Sequence, residues 1–94
     1  MYRRVITPSA KRSLKKLPFS VRKTLVDSTK ILESDPYAGE KLSGSLRFLY
    51  SFHFKVSNIQ YRVAYTINQN DKLIIMHFAH TRENFYEKLH HLFK

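Results

Sequence analysis

Two runs of alternating apolar and polar residues, on either side of the pair Ser57-Asn58, constrain the fold of this chain more than any other feature. The first run covers residues 47–56 and the second covers residues 60–67. Successive side chains of a β-strand point to opposite faces of a sheet, so each run predicts a strand with one apolar face. The predicted apolar faces consist of Phe48, Tyr50, Phe52, Phe54 and Val56 in the first strand and Tyr61, Val63, Tyr65 and Ile67 in the second.

The short connection between the two runs predicts a β-hairpin. A tight reversal at Ser57-Asn58 pairs the two residues that flank it and so places His53 opposite Arg62 on the polar face. Lys55 follows two residues after His53 and lies on the same face. The hairpin therefore brings three cationic or proton-transferring side chains into one small area.

The charge of the chain indicates its class of partner. Seventeen Lys and Arg residues against seven Asp and Glu give a formal net charge of +10 over 94 residues, which favours nucleic acid or a strongly acidic protein as partner. Without cysteine there is no disulfide framework and no thiolate site for metal or redox chemistry. No stretch approaches the ~18 apolar residues of a membrane span, and no secretory signal is recognisable. We therefore expect a soluble cytoplasmic protein that does not bind membranes.

The first half of the chain predicts one strand and two helices. Residues 2–6 are short and β-prone, and Thr7-Pro8 then provides an N-cap and a first-turn proline. This basic helix is expected to run to about Leu17. Ser20 is expected to cap a second helix that runs to about Glu33.

The second half completes an α+β domain. Residues 37–45 hold both glycines and predict a loop, residues 72–79 are apolar on both faces and predict an interior strand, and residues 83–93 predict a helix. The inward face of this last helix is expected to consist of Phe85, Leu89 and Leu92. The order is β-α-α-β-β-β-α in a single domain over residues 1–94. We expect two N-terminal helices and a C-terminal helix packed on a mostly antiparallel four-stranded sheet, with one core.

Four segments, together and in this order, resemble the RelE/ParE superfamily of toxins, which are paired with acidic antitoxins in type II toxin-antitoxin systems. The segments are SAKRSLKKL (residues 9–17), KLSGSL (41–46), YRVAY (61–65) and HTRENFY (80–86), and the resemblance covers nearly the whole chain. In the RelE branch it implies a ribosome-dependent endoribonuclease that cleaves mRNA and inhibits translation. A metal-dependent nuclease would need clustered carboxylates, and the predicted strands offer none except the turn residue Asp71, so we expect a metal-independent mechanism. The catalytic positions that the resemblance implies are His53, Lys55, Arg62, His80, Arg82 and Tyr86.

These residue types also suit RNA cleavage on chemical grounds. Attack by the RNA's own 2′-OH needs a base for that hydroxyl, cations around the phosphorane and an acid for the departing 5′-oxygen. Histidine can serve as base or acid at cellular pH, and lysine can do so where neighbouring cations or burial lower its pKa. Arginine keeps its charge and binds phosphate oxygens, so Arg62 and Arg82 are better phosphate ligands than bases. Which of His53, Lys55 and His80 is the base stays open, since RelE-like sequences often carry Lys or Arg at the two histidine positions.

Each of these residues also has a purely structural interpretation. His53 and Lys55 suit the solvated face of a strand, Arg62 suits a structural ion pair, and Tyr86 suits a core position. His77 and His80, three residues apart on a strand, are predicted to point to opposite faces, so we expect no metal site and no cofactor there. The N-terminal helices carry a basic stripe that suits a solvated face or an RNA backbone track, namely Lys11, Arg12, Lys15, Lys16, Arg22 and Lys23.

Three functions are therefore compatible with the sequence. The first is the mRNA-cleaving toxin, whose implied partners are an acidic cognate antitoxin and the ribosome with mRNA in its decoding site. Its complex with the antitoxin is expected to bind operator DNA through the antitoxin. The second is a ParE-like toxin that poisons DNA gyrase without an acid-base pair. The third is a non-catalytic basic RNA-binding protein.

Overall fold

The computed structural model of this protein describes residues 1–93, and in these residues it contains five strands and three α-helices. In chain order they are β1 (Arg3–Ile6), α1 (Pro8–Lys15), α2 (Phe19–Ser28), β2 (Glu40–Lys41), β3 (Tyr50–Val56), β4 (Ile59–Asn68), β5 (Leu73–Thr81) and α3 (Phe85–Leu92). Short 3-10 helices occupy Thr29–Glu33, Pro36–Ala38 and Gly44–Leu46. None of the helices within residues 1–93 combines the length and the hydrophobicity that crossing a membrane requires.

The strands form one sheet in the order β1-β5-β4-β3-β2. β1 is parallel to β5 and the other three pairs are antiparallel, so the predicted α+β class and the mostly antiparallel sheet are confirmed. The interior position predicted for the strand that follows residue 72 is also confirmed, because β5 lies between β1 and β4. The predicted number of four strands is wrong. The additional strand, β2, lies in the segment predicted as a loop and pairs Glu40 with Ser51.

The predicted hairpin is present with the predicted register. Val56 pairs with Ile59, and His53 consequently pairs with Arg62. The turn residues Ser57 and Asn58 have φ angles of 51° and 68°. Two positive φ angles in a two-residue connection are the geometry that matches the twist of the flanking strands, which is why this short turn holds the register.

The sheet is covered on both faces, so the prediction of a single core is wrong. On one face, α1 and α2 cover a cluster made of Ala10, Val21, Leu25, Leu32, Phe54, Tyr61, Val63, Tyr65, Ile74, Met76 and Ala79. On the other face, α3 covers a second cluster made of Leu42, Leu46, Leu49, Ala64, Phe85 and Leu89. Ala64 stands on the polar face of its strand in the sequence pattern, and here it is fully buried in the same cluster as Phe85.

α1 lies beside the part of β5 that follows Met76, where β1 no longer pairs with this strand. Thr7 accepts a hydrogen bond from the backbone N–H of Ala10 at 3.1 Å, which confirms it as the N-cap. Further along the helix, the buried Ser13 hydroxyl donates to the carbonyl of Ala10 at 2.8 Å and accepts from the N–H of Ala79 in β5 at 3.0 Å. The Ser13 side chain therefore replaces a strand partner and fixes α1 beside the sheet.

α2 begins and ends earlier than predicted. It starts at Phe19 with Pro18 at the N-cap, so Ser20 lies inside the helix and is not its cap. Proline has the fixed φ that suits a helix start, and here its carbonyl accepts the first helical hydrogen bonds. The α-helix ends at Ser28, and the remaining part of the predicted helix is the 3-10 helix Thr29–Glu33.

The ends of two later elements also differ from prediction. β3 begins at Tyr50 and not near residue 47, because the 3-10 helix Gly44–Leu46 and a turn come before it. α3 begins at Phe85, after Asn84 has adopted a left-handed conformation with φ of 62°. Phe85 and Leu89 are buried as predicted, but Leu92 is 38% exposed.

A β-bulge in β5 changes the direction of one histidine. Two consecutive β4 residues pair with Phe78 and Met76, so His77 between them has no partner. The His77 ring contacts the ring of Phe93, at the end of α3, with centroids 5.5 Å apart. His77 therefore lies on the α3 side of the sheet, as His80 does, and the prediction that they point to opposite faces is wrong.

Candidate active site

A row of three side chains crosses the sheet on the face that carries α3. His53 of β3 pairs with Arg62 of β4, and Arg62 pairs with His80 of β5. Adjacent strands lie ~4.8 Å apart, so the backbones that carry the two imidazoles are separated by ~10 Å, with the guanidinium-bearing residue midway between them. The hairpin register sets the first pair, and the bulge in β5 sets the second.

Tyr86 of α3 contacts the middle residue of this row, Arg62. Its hydroxyl accepts a hydrogen bond from Nη1 of Arg62, and the Arg62 guanidinium lies over the Tyr86 ring at 5.2 Å from the centroid. Arg62 therefore has a phenol as its partner, and not the structural carboxylate that its alternative interpretation required. Tyr86 is 38% exposed, so it is not a core residue.

The two remaining predicted residues lie one step further along the strands. Lys55 pairs with Gln60, and the backbone N–H of Arg82 donates to the carbonyl of Gln60 at 2.8 Å. Both Lys55 and Arg82 are exposed. The structure thus brings all six residues predicted as catalytic to the ends of β3, β4 and β5 and to the start of α3.

Glu40 is a neighbour of His53 that the sequence prediction missed. Its carboxylate oxygen Oε2 lies 4.0 Å from Nε2 of His53. Burial lowers the pKa of the His53 imidazole and the Arg62 charge lowers it further, whereas Glu40 raises it and Arg82 has a smaller lowering effect. The net lowering leaves His53 largely neutral at pH 7, and therefore able to accept a proton.

The ring of His80 is oriented by the residue after it. Its Nδ1 lies 3.1 Å from the hydroxyl and 3.3 Å from the carbonyl oxygen of Thr81. The carbonyl oxygen can only accept, so these hydrogen bonds assign the hydrogen to Nδ1. Nε2 of His80 is then the atom that can exchange a proton with a ligand.

Comparison with known proteins identifies the family. Residues 5–90 match the family model described as "ParE-like toxin of type II bacterial toxin-antitoxin system". The chain belongs to this family of toxins. The predicted membership of the RelE/ParE superfamily is confirmed. None of the curated proteins matches the sequence of this toxin.

Solved structures of RelE toxins share the fold of this toxin. The toxin-antitoxin complex RelBE2 of Mycobacterium tuberculosis contains a chain that is 24% identical, with a TM-score of 0.76 over 86% of this toxin and 98% of that chain. A mutant of Escherichia coli RelE in the free state is 16% identical, with a TM-score of 0.75 over 94% of this toxin and 90% of that chain. The RelE-RelB complex of Pyrococcus horikoshii contains a chain that is 26% identical, with a TM-score of 0.63 over 87% of this toxin and 96% of that chain.

The residues of the basic stripe on the toxin's N-terminal segment differ in their location and in their exposure to solvent. Arg12 of α1 and Lys16, which directly follows this helix, line a cleft that also contains His80, next to the row of site residues. Arg22 of α2 is half-buried, and its guanidinium lies 5.8 Å from the ring centroid of Phe19. The exposed members of the stripe are Lys11, Arg12, Lys15, Lys16 and Lys23.

The described part of the toxin holds no obvious ligand set for a metal ion. Within residues 1–93, no group of three His, Cys, Asp or Glu side chains is arranged to bind one. Burial lowers the pKa of His77, and its Nε2 forms a hydrogen bond with the Thr66 hydroxyl at 2.9 Å. His77 therefore connects two strands of the sheet and does not belong to the site.

Proposed function

We propose that this toxin is a metal-independent endoribonuclease that cleaves mRNA on the ribosome and so inhibits translation. The observation that carries the proposal is the row in which Arg62 stands between the imidazoles of His53 and His80. A phosphodiester bound by Arg62 has a proton acceptor on one side and a proton donor on the other. This is the arrangement that cleavage through the 2′-OH needs.

His53 is the proposed base. Its neutral imidazole takes the proton of the 2′-OH while the 2′-oxygen bonds to phosphorus. The carboxylate of Glu40, 4.0 Å from Nε2, stabilises the imidazolium that results. Glu40 does not touch the substrate in this mechanism and is a positioning residue.

His80 is the proposed acid. In its protonated form, Nε2–H donates a proton to the 5′-oxygen as the bond between phosphorus and that oxygen breaks. The products are a 2′,3′-cyclic phosphate and a 5′-hydroxyl, so the proton lost by the 2′-OH is balanced by the proton gained by the leaving group. Nδ1, which is bound by Thr81, keeps the ring in place throughout.

Cations around the row stabilise the charge of the phosphorane. Arg62 is held by Tyr86 and presents its remaining N–H groups to phosphate oxygens. Lys55 and Arg82 add positive charge one step away along the strands. Tyr86 is positioned to orient the 2′-OH or to stack on a base.

The proposed partners follow from charge and from the structural relatives. A formal charge of +10 favours an acidic antitoxin, and related toxins were solved in complexes with RelB-type antitoxins. We infer that this toxin has such a partner in the cytoplasm and that the complex binds operator DNA through the antitoxin. The free toxin acts on ribosomes with mRNA in the decoding site.

A second candidate is poisoning of DNA gyrase, which the ParE-like description of the matched family favours. That activity needs a binding surface and no acid-base pair. The His53–Arg62–His80 row favours the nuclease instead. A non-catalytic RNA-binding protein would require the positive charge but not this row.

Brief induction of the toxin in cells distinguishes the three functions. We expect primer extension to reveal sharp cuts within translated codons of cellular mRNA, with intact chromosomal DNA. Broken DNA with intact mRNA would establish gyrase poisoning, and a growth arrest without any cuts would indicate binding alone. The variant in which both Arg62 and Tyr86 are replaced by alanine should leave mRNA intact, and wild-type toxicity of this variant would refute the catalytic site.

The Glu40→Gln variant should change the pH dependence of cleavage. Removal of the carboxylate removes the effect that raises the pKa of His53, so this pKa falls further below its ordinary value of 6.5. The rate of a reaction that needs neutral His53 rises with pH through this pKa. We expect its acidic midpoint to lie below 6.5 in the wild type and to move to lower pH in Glu40→Gln.

The measurement is the single-turnover cleavage rate on programmed ribosomes as a function of pH. Asp71→Asn is the matched control, because it removes a carboxylate from the turn at the opposite end of β4 and should leave the midpoint unchanged. Identical profiles for Glu40→Gln and the wild type would contradict the assignment of His53 as the base.

A further inference from the structure

A cleft separates α1 from α3 at the edge of β5. Its volume is about 450 Å³. The hydrogen bond from Ala79 N–H to the Ser13 hydroxyl holds α1 at this edge, so the cleft is a fixed feature of the fold. The lining residues are Ser9, Arg12, Ser13, Lys16, Phe78, His80, Lys88, His91 and Leu92.

The cleft is positively charged and contains no carboxylate among its lining residues. Arg12, Lys16 and Lys88 contribute cationic side chains, and His91 contributes an imidazole. The two ion pairs found within residues 1–93 involve other residues, so none of these cations is neutralised by a salt bridge there. Nη2 of Arg12 donates to the Ser9 hydroxyl at 3.2 Å, which holds the guanidinium in the cleft. Such a site is suited to a phosphate group.

His80 connects this cleft with the proposed active site. It lines the cleft and is also the last member of the row that includes Arg62. The His80 ring lies parallel to the ring of Phe78, with an interplanar angle of 7° and centroids 5.8 Å apart, at the wall that the two sites share. One strand spacing, ~5 Å, separates the backbones of Arg62 and His80, so the cleft that His80 lines begins directly beside the row.

We propose that the cleft binds the next phosphate of the RNA on the 3′ side of the cut. This proposal rests on the proposed function, in which His80 protonates the 5′-oxygen of the downstream nucleotide. That nucleotide then lies on the His80 side of the row, and its 3′-phosphate reaches the cleft. Lys88 and His91 of α3 thereby become RNA ligands together with Arg12 and Lys16.

A single neutral linkage in the RNA tests the proposal. We compare mRNAs that carry either phosphate or methylphosphonate one linkage downstream of the cut, on ribosomes programmed with each. The 2′-OH and the phosphate that is cleaved are identical in both. For wild-type toxin, we expect the neutral linkage to slow single-turnover cleavage roughly 10-fold or more, as the loss of hydrogen bonds to a charged group does.

The Lys88→Gln variant should cleave the all-phosphate mRNA more slowly and should be much less sensitive to the neutral linkage. Lys30→Gln, which neutralises an exposed lysine outside the cleft, should behave as the wild type does. Equal sensitivity of the wild type and Lys88→Gln to the neutral linkage would overturn the proposal. So would weaker antitoxin binding by Lys88→Gln with unchanged cleavage, which would assign the cleft to the antitoxin. Absence of all cleavage by the wild type would instead refute the proposed function.

Discussion

Replacement of His53 by alanine is expected to lower the single-turnover rate of mRNA cleavage by ~10²–10⁴-fold, the usual contribution of a general base. The residual rate should lose the acidic limb of the pH profile, because the group that must be deprotonated is absent. Binding to programmed ribosomes should change little, since the neutral imidazole carries no charge for the phosphate. Cleavage and binding are measured on the same ribosomes, with a labelled mRNA for the first and sedimentation for the second.

Two further variants make this expectation specific. Arg62→Ala should weaken both cleavage and binding, because it removes a cation from the phosphate and leaves the Tyr86 hydroxyl without its donor. Lys55→Ala should lower the rate without removing the acidic limb. If His53→Ala cleaves at nearly the wild-type rate while Lys55→Ala loses the pH dependence, Lys55 is the base and His53 a spectator.

Phe85→Ala is expected to destabilise the toxin by about 3–5 kcal/mol, the usual cost of removing a buried phenylalanine side chain. Phe85 is fully buried and forms the second core together with Leu89 and Ala64. Since small domains are stable by only ~5–15 kcal/mol, this loss is a large part of the total. The midpoint of urea unfolding, measured in the His53→Ala background so that cells tolerate expression, should fall accordingly.

Phe19→Ala is the matched control for stability. It is the same substitution on α2, at a side chain that is 72% exposed, and we expect it to change stability by no more than ~0.5 kcal/mol. Equal effects of the two substitutions would mean that α3 does not seal a second core. Tyr86 follows Phe85 in the same helix, so loss of this packing should also release Tyr86 from Arg62.

The sequence predicted the hairpin of the site in detail, since two constraints agreed there. Alternation sets which side chains share a face, and the two-residue turn at Ser57-Asn58 sets which residues are opposite. Together they predict that His53 lies opposite Arg62, as it does. The fold class and the interior position of the last strand also followed from patterns of this kind.

The other features lacked such a signal. The last strand is apolar on both faces, so nothing in its pattern marked the bulge at His77. β2 has only two residues and therefore no periodicity, which is why Glu40 was assigned to a loop and its contact with His53 was missed. The second core draws on Leu42 and Leu49, which lie in irregular chain, and on Leu46, which lies in a 3-10 helix of only three residues. None of these segments is long enough to show helical or strand spacing.

The parallel pairing of β1 with β5 affects when the protein can fold during its synthesis. The chain is synthesised from its N-terminus, so β1, α1 and α2 exist before the strand that holds them in the sheet has been made. Contacts between residues so distant in sequence close late and slow the folding of a domain. The row from His53 to His80 and the Tyr86 that contacts it likewise lie after β1, α1 and α2 in the sequence. The proposed site of this toxin therefore cannot assemble until synthesis has passed Tyr86.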